Sequence, residues 1–344
     1  TTKIRGVNLG SQFIVEPWMA AQEWIDMGCY GAKAEFQCIK DNYGGDVAAA
    51  SVVWQEHWRT WITHSDIKTM ARYGLNTIRI PVGWWMREDL VQSGEYFPKG
   101  GFAYLKKICN WAAEAGFYII IDLHAVPGTQ DADQPFTGNY SDTAYFYQSD
   151  YQSERAYDFL GWITAYIHTS NAFRNVGALE IINEPKYNTI DGDTKWMVEH
   201  YYGSAITVIR SVEAVLGVAP SARLHITLMD DLWGSGSDDP TSSLSAEQKE
   251  FLLFDDHNYE PVSSDNQTEI LKYACADERT TTLEPGNTKI VGEWSMNLNG
   301  AWEPEQNYSS FYQQWFAAQQ EKYEETNGWV YWTWKTNQLD LTNW

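Results

Sequence analysis

Three stretches decide the fold: Thr77-Ile-Arg-Ile-Pro-Val82, Tyr118-Ile-Ile-Ile-Asp-Leu-His124 and Ala178-Leu-Glu-Ile-Ile-Asn-Glu-Pro185. Each is a short, nearly continuous apolar run that turns polar at its end. Such runs suit parallel strands covered on both faces, which lose the alternation of a half-exposed sheet. Working outward, the pattern recurs at Ile4–Gly10, Leu224–Asp230, Phe251–Tyr259, Thr288–Trp294 and Gly328–Lys335, which makes eight. Helix-like segments lie between them. Ser65–Tyr73 stops before Gly74 and Tyr104–Ala115 before Gly116, glycines placed as C-caps. Eight strand–helix alternations predict an α/β chain closed as a (β/α)8 TIM barrel, a single domain over residues 1–344. The first crossover, Ser11–Asn76, is long and must carry extra loops. Nine residues follow the last strand, so the closing helix is expected to be short.

Composition narrows the partners. The formal net charge is −22, from 46 acidic against 24 basic residues. That argues against nucleic acid or an anionic membrane, both of which need a basic patch. Most of this acidity reads simply as a solubilising surface. Aromatic residues are in excess, with 18 Trp, 21 Tyr and 13 Phe. Flat amphipathic rings pack against the C–H faces of sugars as they do against other apolar surfaces. No run of 18 apolar residues is present, so no membrane span is expected. The chain opens at Thr1 with no signal-peptide pattern, as a processed product would. Four cysteines lack C-x-x-C spacing; Cys29 and Cys38 can close a short loop, which leaves Cys109 to pair with Cys275. Together with sequons at Asn139, Asn266 and Asn307, they suggest a protein secreted from a eukaryote, and a monomer is expected.

Chemistry in barrels of this kind gathers at the C-terminal ends of the strands. Those ends carry Arg79, His124, Asn183 with Glu184, His257 with Tyr259, Glu293 and Trp332. One such residue is ordinarily a loop residue; a polar group on nearly every core strand calls for a shared polar cavity. Glu184 and Glu293, on the fourth and seventh strands, face each other across the mouth. Paired carboxyl groups are what glycoside hydrolysis requires. A carboxylate beside Arg79 and a tyrosine hydroxyl stays ionised, so Glu293 is expected as nucleophile, supported by Arg79 and Tyr259. Glu184 is then the acid/base, tuned by His257. Asn183 is placed to hold a sugar 2-OH, His124 a further hydroxyl, and Trp332 offers a stacking floor.

The ordered set Ile78-Arg79-Ile80-Pro81, Asp122-Leu123-His124, Asn183-Glu184-Pro185, His257-Asn-Tyr259, Gly292-Glu293-Trp294 and Trp332-Thr-Trp334-Lys335 resembles glycoside hydrolase family 5. That resemblance spans strand one to strand eight. It implies a retaining mechanism, no metal and no cofactor, and it matches all of the family's usual active-site positions by residue type. Ile4-Arg-Gly-Val-Asn-Leu-Gly-Ser-Gln-Phe, Glu16-Pro-Trp18, Asp26-Met-Gly-Cys29 and Leu232-Trp-Gly-Ser-Gly236 are similar to a fungal group within it. The group holds endo-β-1,6-glucanases and rutinosidase-type 6-O-diglycosidases, which both recognise a β-glucosyl unit substituted at O6. The length from Glu184 to Glu293 tilts the expectation toward the diglycosidase, with the glucanase as the alternative.

Other features carry less. Trp84, Trp85, Trp233, Trp294 and Trp334 lie near strand ends and are as well explained by packing as by sugar contact. Asp255-Asp256-His257 has the residue types of a metal cluster, but its neighbours already fit a sugar site. His57, His64, His168, His200 and His225 are expected to be structural or exposed. A silent carbohydrate-binding barrel is the competing class of function, since fold does not fix function. Such a protein would have no need of both glutamates and their helpers.

Overall fold

A computed structural model of the chain describes residues 2–186, 193, 195–229, 239–259, 266–276, 288–298 and 308–338. The strands are β1 (Ile4–Asn8), β2 (Thr77–Gly83), β3 (Tyr118–Ala125), β4 (Val176–Glu180), β5 (His225–Met229), β6 (Leu252–Asn258), β7 (Lys289–Trp294) and β8 (Gly328–Tyr331). They pair in chain order, all parallel, and β8 returns to β1 to close the barrel. The expected (β/α)8 architecture is therefore present. β4 is shorter than its apolar run suggests, because the backbone leaves the sheet after Glu180. Asn183 and Glu184 thus sit on the connection that follows, and Glu184 has φ +38°, a left-handed conformation that costs a non-glycine residue energy.

The helices are α1 (Ala21–Asp26), α2 (Glu35–Gln37), α3 (Val47–Thr60), α4 (His64–Arg72), α5 (Gly101–Glu114), α6 (Asp150–Thr169), α7 (Tyr202–Val215), α8 (Gln267–Ala276) and α9 (Tyr308–Tyr323). α4 starts on a capping box, where Thr63 and Asp66 each accept a backbone N–H of the other. It ends at Gly74, whose φ of +83° suits glycine. Among the described residues, no helix separates β5 from β6, none follows β8, and none is long and apolar enough to cross a membrane. Two of the strand–helix alternations are therefore incomplete over this part of the chain.

The long first crossover carries α1 to α4. Cys29 and Cys38 are joined in a disulfide within it. His57 fixes α3 to the same segment: Nε2 lies 2.7 Å from the Ser11 carbonyl oxygen and Nδ1 2.8 Å from Glu23. The expected Cys109–Cys275 bond is not formed. Cys109 is a free, buried thiol on α5, between β2 and β3, whereas α8 with Cys275 lies between β6 and β7, on the opposite side of the closed sheet. The Cys275 side chain itself lies outside the described residues.

Candidate active site

The floor of the site is built on Arg79, which is fully buried at the centre of the barrel. Its Nε donates to Glu180 at 2.8 Å, Nη1 to Glu293 at 2.8 Å and Asn8 at 3.1 Å, and Nη2 to Asn183 at 2.8 Å. Asp122 lies 3.1 Å and Asp255 3.6 Å from the same guanidinium. A buried cation is tolerated only when paired and hydrogen-bonded, and here six side chains from five other strands or their ends supply that. Burial disfavours the Arg79 charge, yet Asp122, Glu180, Glu293 and Asp255 outweigh it and lift its pKa further. Glu180 is pushed well above the ordinary carboxylate value by burial and by Asp122 and Asp255, against the pull of Arg79.

Above this floor stand the paired glutamates. Tyr259 donates its hydroxyl to Glu293 Oε2 at 2.7 Å, so Glu293 receives one donor on each oxygen. His257 Nδ1 lies 2.7 Å from Glu184 Oε1 and 3.5 Å from Glu293 Oε2. One carboxylate oxygen of each glutamate falls within 4.8 Å of the other and of the His257 nitrogen. Gly292 is required here: a Cβ would meet Asp255 Oδ2 at 2.0 Å, and its N–H donates to Asp255 Oδ1 at 2.6 Å. The absence of a side chain lets Asp255 brace the strand directly before Glu293.

Electrostatics treat the pair as one unit. Burial raises the Glu184 carboxyl, but the hydrogen bond and charge of His257, helped by His124 and Lys186, bring it below its ordinary value. Burial and the charge on Glu184 raise Glu293 against His257 and Arg79, and it ends above its ordinary value. His257 loses from burial, but Glu293, Asp255 and Glu184 push its pKa well above 6.5. The two shifts thus run in opposite directions, Glu184 down and Glu293 up. The cause is the His257 imidazolium seated on Glu184; carboxyls this close titrate together.

A cavity of about 250 Å3 opens over these groups, just under the roughly 300–1,000 Å3 of most ligand pockets. Among its lining residues are Asn183, Glu184, Tyr259, Glu293, His124 and Trp332. Arg79 and His257 lie just beneath. All of the expected site residues therefore converge. Asn183 turns Oδ1 to Arg79 and lines the cavity. Trp332 stacks on His124, with ring centroids 5.7 Å apart and planes 7° from parallel, and the Trp332–Thr333 peptide bond is cis. His124 is itself held by Asp122, 2.6 Å from Nδ1.

The structure adds residues that strand-end reasoning missed. Glu16, Trp18, Gln134, Phe136 and Asn297 also line the cavity. They come from loops, so no strand pattern marks them; the Glu16-Pro-Trp18 motif was the available signal. Trp18 Nε1 donates to Glu16 at 2.8 Å, and burial lifts the Glu16 carboxyl to about 7. The backbone before Glu16 is held by Glu35, which is 0% exposed. Its Oε1 accepts from Val15 N at 3.0 Å and Trp54 Nε1 at 2.7 Å. Burial raises the Glu35 carboxyl to about 8.

The remaining aromatics and histidines separate cleanly. Trp294 is fully buried against Phe316, Tyr323, Trp329 and Tyr331, a packing role. Trp85 stacks on Phe97, with centroids 4.3 Å apart, and Trp84 packs on both. Trp334 donates to Asp66, and Trp233 lies outside the described residues. His64, His168 and His225 pack or pair with Trp111, Glu213 and Tyr118, and His200 lies against Trp196. The Asp255-Asp256-His257 triplet does not converge, because Asp256 faces Lys289 at 3.7 Å. Glu180, Asp255 and His257 do come together, as do Glu184, His257 and Glu293. At the first of these groups the Arg79 guanidinium already supplies the positive charge.

Comparison with known proteins agrees with this geometry. The family model described as cellulase, glycosyl hydrolase family 5, matches residues 38–338. "Glucan endo-1,6-beta-glucosidase B" of Emericella nidulans is 48% identical over 345 residues, covering 97% of this chain and 80% of that protein. "Probable glucan 1,3-beta-glucosidase A" of Aspergillus fumigatus is 28% identical, covering 97% of this chain and 83% of that protein. The crystal structure of a rutinosidase from Aspergillus niger superposes with a TM-score of 0.76 at 24% identity, over 100% of this chain and 93% of that one, which bears on the fold. The barrel, the paired glutamates and the extent of these matches lead to one conclusion: the chain belongs to glycosyl hydrolase family 5 and is a glycosidase whose ligand is a carbohydrate.

Proposed function

We propose that the protein is a secreted, monomeric endo-β-1,6-glucanase that works with retention of configuration. The substrate rests on the 48% identity, over nearly the whole chain, to a protein named for that activity. The mechanism rests on one observation, the approach of Glu184 and Glu293 to within 4.8 Å. That spacing fits double displacement, which needs carboxyl groups about 5–5.5 Å apart, and leaves no room for the water of an inverting enzyme.

The donors assign the roles. Glu293 Oε1 takes Arg79 and Oε2 takes Tyr259, an arrangement that favours a carboxylate attacking, and later leaving, the anomeric carbon. Glu184 has as its close partner His257, a titratable group that can pass it a proton. As the C1–O bond breaks, Glu184 protonates the leaving oxygen while Glu293 bonds to C1. Glu184 then takes a proton from water, whose oxygen replaces Glu293 at C1, and the β-anomer leaves. Asn183 holds the 2-OH, His124 a neighbouring hydroxyl, and Trp332 the ring face. No cofactor or metal takes part in these steps, and the net charge of −22 disfavours nucleic acid or an anionic membrane as a further partner.

A rutinosidase-type 6-O-diglycosidase is the second reading, favoured by the length of chain between Glu184 and Glu293. Both substrates present a glucosyl unit carrying a sugar at O6. Incubation with a linear β-1,6-glucan and, separately, with rutin distinguishes them. A ladder of gentio-oligosaccharides is the expected result; intact rutinose released from rutin with the glucan untouched would overturn the glucanase reading. Early α-anomer, followed by NMR, would refute retention.

A further inference from the structure

A second cavity, of about 230 Å3, opens beside the active one. The stretch Gln134–Asn139 separates them: Gln134 and Phe136 line the first, Thr137 and Asn139 the second. The rest of its lining includes Phe36 and Tyr145, with Gln152 offering an amide and Glu95 a carboxylate; Trp84 and Phe97 also reach it but are nearly fully buried, Trp84 under the Arg155 guanidinium and Phe97 stacked on Trp85. Partly exposed rings beside a few hydrogen-bonding groups are a surface on which a pyranose ring can pack. The volume equals that of about seven or eight waters, at roughly 30 Å3 each, which is room for one sugar ring.

Asn139 is the acceptor of the sequon Asn139-Tyr140-Ser141. Its amide orientation is fixed by a neighbour. Gln37 Oε1 accepts the Tyr140 backbone N–H at 3.1 Å, so Gln37 presents Nε2 on its other side. That Nε2 donates at 2.8 Å to Asn139 Oδ1 and at 2.9 Å to the Tyr140 carbonyl. Asn139 must therefore turn its oxygen to Gln37, and its Nδ2 points away, with no hydrogen bond among the described residues. The atom that carries an N-linked glycan is thus the free end of a side chain that lines a cavity large enough for one sugar.

We propose that Asn139 is N-glycosylated and that the first sugar of its glycan is seated in this cavity, as a permanent part of the fold beside the active site. The donor is a lipid-diphosphate-linked oligosaccharide of the secretory pathway. The Nδ2–C1 bond forms as the C1–O bond to the diphosphate breaks, one amide proton leaves, and Oδ1 remains the acceptor for Gln37. The proposal rests on the reading of the protein as secreted.

The test is expression in a glycosylating yeast behind a secretion leader, which forces entry into the glycosylating compartment whatever the natural route. Peptide mass spectrometry of the wild type should find the glycan on Asn139. An endoglycosidase that cuts between the first two sugars should cleave that glycan in the folded protein at least about tenfold more slowly than in the denatured one, since access needs local opening. Asn139→Gln and Ser141→Ala should both lower Tm, Ser141→Thr should keep the glycan and Tm, and hydrolysis of an aryl β-glucoside should be unchanged in all three. An unmodified Asn139, or a glycan trimmed equally fast in the folded and denatured protein, overturns the proposal.

Discussion

Replacing Glu35 by Gln should make the protein more stable in alkali without harming catalysis. Glu35 is fully buried, and its Oε2 has no hydrogen-bond partner among the described residues. An ionised carboxylate cannot be accommodated there, and burial raises its pKa from 4.5 to about 8. The folded chain therefore binds this proton more tightly than the unfolded chain. Its contribution to stability is fully present below the unfolded value and is lost as pH rises toward the folded one. At about 1.4 kcal/mol per unit, roughly 3–4 kcal/mol disappears between pH 5 and pH 8. Gln keeps the shape and the acceptor for Val15 N and Trp54 Nε1, and it carries no proton to lose. With an unfolding entropy of ~2.1 cal/mol/K per residue, the variant should gain about 5 °C in Tm on wild type across that range. Thermal melts of both proteins at several pH values, at constant ionic strength, measure it. Parallel Tm–pH curves would refute the reasoning. Because Val15 leads into Glu16 at the cavity wall, kcat/KM should survive in Glu35→Gln and fall in Glu35→Leu.

Other outcomes test the site more directly. Glu293→Gln should lower kcat by roughly four orders of magnitude on every substrate, with Tm near wild type. Glu184→Gln should spare the first step on aryl glycosides with good leaving groups, and added azide should restore turnover and give a β-glycosyl azide; no rescue would move the acid/base role elsewhere. Tyr259→Phe removes one donor from Glu293, so kcat/KM should fall by roughly tenfold, at about 1.4 kcal/mol, and its acidic limb should shift to higher pH. Opening the Cys29–Cys38 link by Cys29→Ser with Cys38→Ser should cost about 3 kcal/mol from its loop length, read as a lower denaturation midpoint.

Strands such as β3 were legible because they are buried on both faces, so Tyr118–Leu123 stands out as a nearly continuous apolar run. Polar groups on the strands were legible for the opposite reason: His124 and Glu293 near strand ends, and Arg79, which lies within β2 at the barrel floor rather than at its end, are too costly there without a common purpose. Ends were read less well than middles. The run Ala178–Pro185 continues past β4: Ile181 still donates to Thr227 on β5, and Ile181 and Ile182 stay buried although the strand ends at Glu180. Residues delivered by loops escaped entirely. Nothing in the periodicity around Gln134, Phe136 or Asn297 marks a cavity wall, and Glu180 was passed over although a charge inside an apolar strand should have drawn notice. The Cys109–Cys275 pairing failed because elimination by count ignores where the two helices lie. As for the substrate, loop length favours one sugar and identity the other, and much of the chain in question, such as residues 230–238 and 260–265, lies outside the described residues.

Arg79 has a consequence for how such an enzyme can change. Its guanidinium ties its own strand to five others or their ends, so the residue that braces the barrel floor also orders Glu293 and Asn183. Even a Lys in its place would forfeit the fork that reaches Glu180, Glu293 and Asn183 at once. Mutational tolerance should therefore run in a gradient, near zero at the floor and rising toward the rim. Swapping rim loops between relatives is the route by which new glycosides can be reached while the reacting atoms stay where they are.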